Sequence, residues 1–521
     1  MFERNIIHTI TLALKQIYMK SRSGIITVIL SAVLFTILFY KQPQGLNLLI
    51  FELIYFCWLI AARQISFRNR NTVTAAAGFL ITAFFTVFTY SAFTYIMNYL
   101  ALLILVGMLI YPIAKSFINT FTLSLFNLFN SQLRFISEFS NTGSSEKQTG
   151  RKLRRSLIFI IPIIIILIFI TLYRSSNPVF DKLIVNIVNP VADAIDYIFR
   201  NIDFRIAGTF IFGLLFSNFL ILRTGNKFLI NKDTIASDEL SRIKSGRSRT
   251  SNTIGLKNEY KAGIFLLIAL NAILLIVNVI DIYWVWFNFT WNGQYLKQFV
   301  HQGTYMLILS IFISIAIVLY FFHQNLNFYS KNSFLKYLSY VWLAQNAILA
   351  VSVGVRNFWY IYYYALAYKR IGVIIFLILT LYGLYSVYIK VRNRRTTFYL
   401  FRTNAYAIYI LLVISSVINW DTLIARYNFG NAGRSYLHFD FVADLSDKTL
   451  PYLDKPLTEL KQIEAVKYKN FPNEVASFMK PDEYFVIIEK RKAKFKSEWE
   501  KKSLLSWNYP EHKAYKMLFE K

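Results

Sequence analysis

The chain is dominated by apolar runs that are long enough to cross a lipid bilayer and are separated by polar connections. Crossing about 30 Å of hydrocarbon takes about 20 apolar residues in a helix, and these runs are apolar on all sides. We therefore predict an all-α fold, a polytopic membrane helix bundle of eleven spans. The predicted spans are residues 24–40, 46–62, 72–95, 97–113, 156–173, 205–222, 262–288, 303–322, 336–354, 371–389 and 404–420.

Several segments are expected to lie outside these spans. Residues 1–23 are predicted to form a basic cytoplasmic segment. The apolar run that follows, 24–40, is too long for a typical signal-peptide core, and no small-residue cleavage site follows it. Both features favour an uncleaved signal anchor. Residues 178–203 have the spacing of an extracytoplasmic amphipathic helix, with a short re-entrant hairpin as the alternative. Residues 116–137 resemble such a helix on the inner side. Residues 421–521 are predicted to form an extracytoplasmic helical tail domain.

Charge orients the predicted bundle. Lysine and arginine are abundant in the connections 63–71, 114–155, 223–261 and 390–403, and scarce in the connections 41–45, 96 and 289–302. Because cytoplasmic loops of membrane proteins are rich in these residues, the alternation places the amino terminus in the cytoplasm and the carboxyl terminus outside the plasma (inner) membrane of a bacterium.

Composition agrees with this interpretation. The chain has 521 residues, 56% hydrophobic and 16% charged, whereas soluble domains have roughly 25% charged residues. The net charge of +29 is also compatible with nucleic-acid binding. The cations, however, lie between apolar runs and no recognised nucleic-acid motif is present. We expect the lipid bilayer, and no nucleic acid, as a partner.

The sequence contains no motif that is diagnostic of catalysis. It has one cysteine, Cys57, five scattered histidines, no HExxH pattern, no Walker loop and no GxSxG. We therefore predict no metal and no cofactor, and the sequence leans against an enzyme. It still allows a membrane transferase whose site is a single carboxylate in a loop.

Six polar residues are expected to lie near the outer leaflet. An ionisable group inside the membrane is costly unless it is paired or hydrated, so it is a candidate for a functional site. If Arg356 meets Asp281 or Glu52, both charges are kept; if no cation reaches these carboxyls, their pKa rises and they are able to carry protons. The candidate substrate-binding set is Glu52, Asp281, His301, Arg356, Asp421 and Arg426.

Two interpretations of this set are open. One is a group of ordinary interfacial anchors and structural ion pairs, in which case the substitution Asp281→Ala reduces the amount of stable protein. The other is an outward-facing pocket for an ion, a lipid headgroup or a small solute, in which case Asp281→Ala leaves folding nearly intact and removes function.

Short motifs occur in order over roughly residues 177–510. They are NPVFD at 177–181, FVHQG at 299–303, the stretch 356–370, NWD with ARYN within 419–428, FVADLS at 441–446 and SWN at 506–508. Together they resemble the bacterial integral-membrane family called domain of unknown function 4173, and its relative 4153. The resemblance implies an inner-membrane protein without supplying an activity. Ala365 and Ala367 stand where the family tends to have Gly and Thr, and Thr304 stands where an aromatic residue is usual.

Three hypotheses for function follow. The first is a non-enzymatic carrier-like or envelope scaffold protein. The second is a transferase acting on a lipid-linked substrate, with Asp281 or Asp421 as the base. The third is a sensor whose tail binds an envelope protein partner. A through-going cavity between broken helices favours the carrier, a lateral groove beside Asp421 favours the transferase, and a solid bundle with buried tail contacts favours a scaffold or a sensor.

Overall fold

The described chain is helical throughout. The computed structural model describes residues 21–142, isolated stretches between 166 and 189, and residues 203–242, 249–289, 304–322, 325–471 and 479–520. Within these ranges there is no strand, only one isolated bridge that joins Glu239 to Arg395. The all-α prediction is confirmed for the part of the chain that is described.

We number the α-helices in chain order. They are α1 (Ser21–Phe39), α2 (Leu46–Ala61), α3 (Arg70–Phe88), α4 (Ala92–Ile110), α5 (Phe117–Thr142), α6 (Phe204–Ile221), α7 (Lys227–Ile235), α8 (Arg249–Asp281), α9 (Thr304–Phe321), α10 (Ser333–Tyr364), α11 (Tyr368–Asn393), α12 (Thr397–Val417), α13 (Trp420–Gly430), α14 (Phe439–Ala443), α15 (Leu450–Leu453), α16 (Leu457–Asn470), α17 (Pro481–Glu500) and α18 (Tyr509–Phe519). A π-helical turn, Ile282–Phe287, continues α8. Short 3-10 turns stand at Asn325–Phe328, Asp447–Thr449 and Leu504–Ser506.

Seven helices in the described ranges are long and apolar enough to cross a membrane, judged by length and composition. They are α3, α4, α6, α8 with its π turn, α10, α11 and α12, and shorter apolar helices occupy most of α1, α2 and α9. Each predicted span in the described ranges therefore coincides with an apolar helix. The predicted span 156–173 lies mostly outside the described residues, so the count of eleven stays a prediction.

Several helix boundaries differ from the predicted positions; α8, for example, begins thirteen residues before its predicted span. The turn between α3 and α4 lies at residues 89–91, because the Ser91 hydroxyl accepts a hydrogen bond from the Thr94 amide (3.1 Å) and begins the new helix there. Helix α10 continues through the aromatic stretch to Tyr364, ten residues beyond the apolar run. Of segment 178–203, residues 178–186 are helical, and most of the remainder lies outside the described residues.

The described residues form two compact units. The first is drawn from residues 1–67, 103–113 and 120–230. In it α1 packs along α6, where Gly213 admits the ring of Phe35. Polar contacts support this packing: Ser217 Oγ donates to Ser31 Oγ (2.9 Å), and the Tyr55 hydroxyl donates to the Leu220 carbonyl (3.1 Å). Small residues and hydroxyls are typical of close helix contacts in membranes.

The second unit is drawn from residues 68–102, 114–119 and 231–521, and α10 lies at its centre. Helices α8, α9 and α11 all pack against α10, and α12 packs against both α11 and α3. Buried apolar side chains such as Leu267, Leu349 and Val353 fill this core. A second apolar core joins the carboxyl-terminal helices, through Phe439 and Tyr484, to residues 366 and 371 at the α10–α11 turn.

Candidate functional site

A buried ion pair links α8 to α10. Arg356 Nη2 donates to Asp281 Oδ1 at 2.5 Å, and Ser352 Oγ donates to Asp281 Oδ2 at 2.7 Å. Asp281 and Arg356 are each 6% exposed. Ser352 and Arg356 stand four residues apart, so they lie on one face of α10. Two of the six predicted site residues are therefore in direct contact.

A line of amides extends from this pair along the same two helices. Gln345 Nε2 donates to Asn271 Oδ1 (2.8 Å), and Asn278 Nδ2 donates to the Gln345 carbonyl (3.1 Å). Asn271, Asn278 and Asp281 are seven and three residues apart, which places them on one face of α8. Asn278 Oδ1 and Gln345 Oε1 are buried and have no hydrogen-bond partner within the described ranges. Each such acceptor costs about 1–3 kcal/mol when it is left unmet.

The backbone changes its winding at the ion pair. Asp281 is the last residue of α8, and the π-helical turn Ile282–Phe287 follows it directly. The Trp359 indole N–H donates to the Val285 carbonyl at 2.9 Å, which ties this turn to α10. Single π-helical turns inside helices frequently occur at functional sites. The pair and the wider turn therefore lie at the same point of α8.

A second polar cluster surrounds Asp421 at the start of α13. Its carboxylate accepts hydrogen bonds from Tyr368 Oη and from Ser446 Oγ (2.5 Å), and it pairs with Lys448 Nζ at 3.0 Å. Lys448 is 4% exposed. Its ammonium also donates to the carbonyls of Thr89 (3.1 Å) and Tyr90 (2.9 Å), at the end of α3.

The surroundings of Asp421 keep its carboxyl ionised. Burial by itself opposes ionisation, but the Lys448 ammonium and the hydrogen bonds from Ser446 and Tyr368 outweigh burial, so the pKa of Asp421 is lowered. This cluster is therefore a closed ion pair with its remaining acceptor positions filled, and it connects the carboxyl-terminal region to the ends of α3 and α11.

The connection between α10 and α11 is held by polar contacts from both sides. Asn428 on α13 accepts from the Leu366 amide (2.7 Å) and donates to the Leu366 carbonyl (3.0 Å). Arg370 donates to the carbonyls of Tyr364 and Ala365. Ala365 has φ 64° and ψ −176°, a region that is essentially restricted to glycine. This conformation fits the glycine that the sequence resemblance implies at this position.

The other predicted site residues are placed elsewhere. Glu52 is buried in α2 of the first unit, whereas the two clusters above belong to the second unit. Arg426 is exposed on α13, with its guanidinium 5.8 Å from the centre of the Tyr452 ring. His301 lies outside the described residues. Asp421 has partners different from those of Asp281 and Arg356, so the structure resolves the predicted set into separate groups.

Sequence reasoning missed residues that complete both clusters. Ser352, Asn278 and Gln345 are polar residues within apolar runs, and their spacing from Asp281 or Arg356 is a signal that was available in the sequence. Lys448 and Asn428 carried no such signal, since they stand among many polar residues of the carboxyl-terminal region. No group of three or more His, Cys, Asp or Glu in the described part of the chain has the arrangement of a metal site.

The apolar helices and their buried polar pairs are those of an integral membrane protein. A family described as "Domain of unknown function (DUF4153)" matches residues 25–455. The chain belongs to this family, and the resemblance inferred from the short sequence motifs is confirmed. Searches of curated proteins and of solved structures found no match.

Proposed function

We propose that this protein is a non-enzymatic, multi-pass protein of the bacterial plasma membrane that acts as an envelope scaffold. Its carboxyl-terminal helical region lies outside the membrane, anchored on the outer ends of the spanning helices, and presents a surface to an envelope protein partner. The buried contact of Lys448 with Asp421 and with the end of α3 carries this proposal.

The positions of these contacts agree with the predicted orientation. In an eleven-span chain with a cytoplasmic amino terminus, the carboxyl end of α3, the start of α11 and the carboxyl end of α12 all lie outside. Lys448 binds carbonyls just after α3, Tyr368 begins α11, and Asp421 follows α12. One cluster thus gathers three helix ends that charge alternation assigns to the same side.

The energetics of the cluster favour a permanent anchor. The Lys448 side chain is 1% exposed and that of Asp421 is 13% exposed. Removal of one partner from a buried ion pair costs about 3–5 kcal/mol, because the other charge is left buried and unpaired. Asn428 adds two hydrogen bonds to the Leu366 backbone, each worth about 1 kcal/mol net. A contact of this strength keeps the carboxyl-terminal region docked.

Proteolysis tests the anchor. We expect Lys448→Met to expose the carboxyl-terminal region to protease added outside spheroplasts, while the bundle stays inserted. Lys494→Met is the matched control, because Lys494 makes a longer ion pair at 3.6 Å and its side chain is 72% exposed. Equal protection of the two variants would contradict the anchor.

Reporter fusions test the orientation separately. Fusions at Gly143, Ser248 and Lys513 are expected to report inside, inside and outside. A cytoplasmic report from Lys513 would mean that the span count is wrong by an odd number, and the scaffold would then face the cytoplasm.

A carrier is the second candidate, and the Asp281–Arg356 pair beside a π-helical turn favours it. In that case Asn278 Oδ1 and Gln345 Oε1, which lack hydrogen-bond partners within the described ranges, belong to a path for an ion or a small polar solute. Proteoliposomes loaded with a pH-sensitive dye test this function under an imposed proton gradient. A proton flux that Asp281→Asn abolishes would favour the carrier, and a flux equal to that of empty liposomes would favour the scaffold.

A further inference from the structure

Helix α5 carries its apolar side chains on its exposed face. Phe129 is 75% exposed, and its neighbours on that face are exposed to a similar degree. They are Leu125 (38%), Phe126 (47%), Leu133 (54%) and Phe139 (57%). At 100° per residue, Phe129 lies at the middle of this face, with Leu125 and Leu133 on either side of it and Phe126 and Phe139 at its borders. A helix at a water-facing surface has the opposite arrangement.

The opposite face of α5 is polar and buried. Thr120, Ser124, Asn127 and Ser131 each have 0% exposure, and their spacing of four, three and four residues places them on one stripe. Polar side chains turned toward the protein, with phenylalanines turned outward, are the arrangement expected where the surrounding medium is hydrocarbon.

The buried stripe is joined to α6. Asn127 Nδ2 donates to the Phe219 carbonyl (2.9 Å), and Gln132 Nε2 donates to the Leu215 carbonyl (2.9 Å). Asn218 Nδ2 on α6 donates a hydrogen bond to Gln132 Oε1 on α5 (2.9 Å). The Asn127 bond holds the buried stripe against the end of α6. Gln132 lies on the other side of α5, beside Leu125 and Phe139, and reaches α6 nearer its middle.

The contact with α6 also fixes the depth of α5. Leu215 stands six residues before the end of α6, which corresponds to about 9 Å along the helix at 1.5 Å per residue. Leu215 and its neighbours Ile211 and Phe212 are themselves exposed, at 45%, 56% and 60%. Since α6 is apolar and long enough to cross a membrane, the exposed face of α5 is continuous with a surface that faces lipid.

We infer that α5 is a membrane-embedded interfacial helix whose Phe126–Phe129–Leu133 face is covered by lipid acyl chains. The occupant is lipid and not water, because the helix is held beside the hydrocarbon level of α6 and the Asn127 amide of its polar stripe is bonded to α6 inside the protein. This inference is independent of the anchored carboxyl-terminal region, since it concerns only the first unit.

Site-directed spin labelling tests the inference on the full chain in liposomes. The single cysteine, Cys57, is removed as Cys57→Ser, and one nitroxide is then attached at Phe129→Cys. Phe212→Cys on α6 is the reference for lipid, and Lys494→Cys is the reference for water. Phe129 is largely exposed, so its replacement removes little packing. Collisions with oxygen, which concentrates in hydrocarbon, are compared with collisions with a water-soluble nickel chelate.

We expect the label at Phe129 to behave like the label at Phe212, with frequent oxygen collisions and few nickel collisions. Behaviour like that of Lys494 would overturn the inference and place α5 in water. Exclusion of both reagents, together with dipolar broadening between labels, would also overturn it, because a second copy of the chain would then cover the face.

Discussion

Removal of the Asp281 charge should destabilise the protein far more than removal of a similar charge at the surface. In Asp281→Asn the Arg356 guanidinium stays 6% exposed and loses its carboxylate. The Ser352 hydroxyl is able to hydrogen bond to the new amide, so the loss is mainly one of charge. This substitution therefore asks whether the pair is a structural element of the fold.

The expected magnitude follows from the geometry. At the 2.5 Å that separates Arg356 Nη2 from Asp281 Oδ1, two unit charges attract by about 7 kcal/mol at an effective dielectric constant of about 20. Desolvation of both groups consumes much of this attraction. Loss of one partner then costs about 3–5 kcal/mol, whereas replacement of both partners by apolar groups is often neutral or stabilising.

A double-mutant cycle measures this coupling. The variants are Asp281→Asn, Arg356→Met and the combination of both, compared by the fraction of monodisperse protein left after heating in detergent. Asp238→Asn is the control, because the Asp238–Arg402 ion pair is also 2.5 Å long but its side chains are 28% and 34% exposed. Such partly exposed pairs contribute about 0.2–1 kcal/mol.

We expect each single variant at the buried pair to lose stability well beyond the control, and the double variant to recover most of that loss. Additive losses, or an Asp281→Asn variant as stable as Asp238→Asn, would refute the structural interpretation. A stable Asp281→Asn variant would instead support the hypothesis that this carboxylate serves a transported ion or solute.

Three further outcomes are expected from the geometry. Ala365→Gly relieves about 1–3 kcal/mol of backbone strain against a smaller gain in unfolded-chain entropy, so its melting temperature should not fall. Ala350→Gly within α10 should cost more than the ~1 kcal/mol of helix propensity, because Ala350 is also buried in the core. A larger loss at Ala365 than at Ala350 would contradict the strain. The pKa of Asp421 in the folded protein is lowered from its ordinary 3.8. The ionised Asp421 carboxylate therefore stabilises the fold fully above pH 3.8, and this stabilisation is lost as the pH falls through the lowered pKa. Acid titrations of Asp421→Asn should lack this loss. Gly107→Ala places a Cβ against the carbonyl of Thr120 and should cost about 1–3 kcal/mol of stability. Gly208 has open space around it, so Gly208→Ala should be neutral or stabilising in thermal melting. Similar effects at both glycines would contradict the close α4–α5 contact.

The candidate site was only partly accessible from the sequence. The sequence singled out Asp281 as a charge within a predicted span and Arg356 as a charge at the outer end of another, and the structure pairs them. It did not reveal that Lys448 is the partner of Asp421, since the partner is 27 residues away in a region rich in lysine. The choice among those lysines depends on how the carboxyl-terminal helices fold back on the ends of α3 and α11.

The sequence by itself determined that the chain is helical and that its helices have the length and composition of membrane spans. This holds because a run of about 20 apolar residues has to satisfy its backbone hydrogen bonds internally wherever hydrocarbon surrounds it. Only the tertiary structure decided which polar groups meet, that Ala365 takes a conformation typical of glycine, and that α5 turns its polar stripe inward. These features depend on the rotation and register of each helix against its neighbours, and periodicity along a single chain segment does not encode which neighbour that will be.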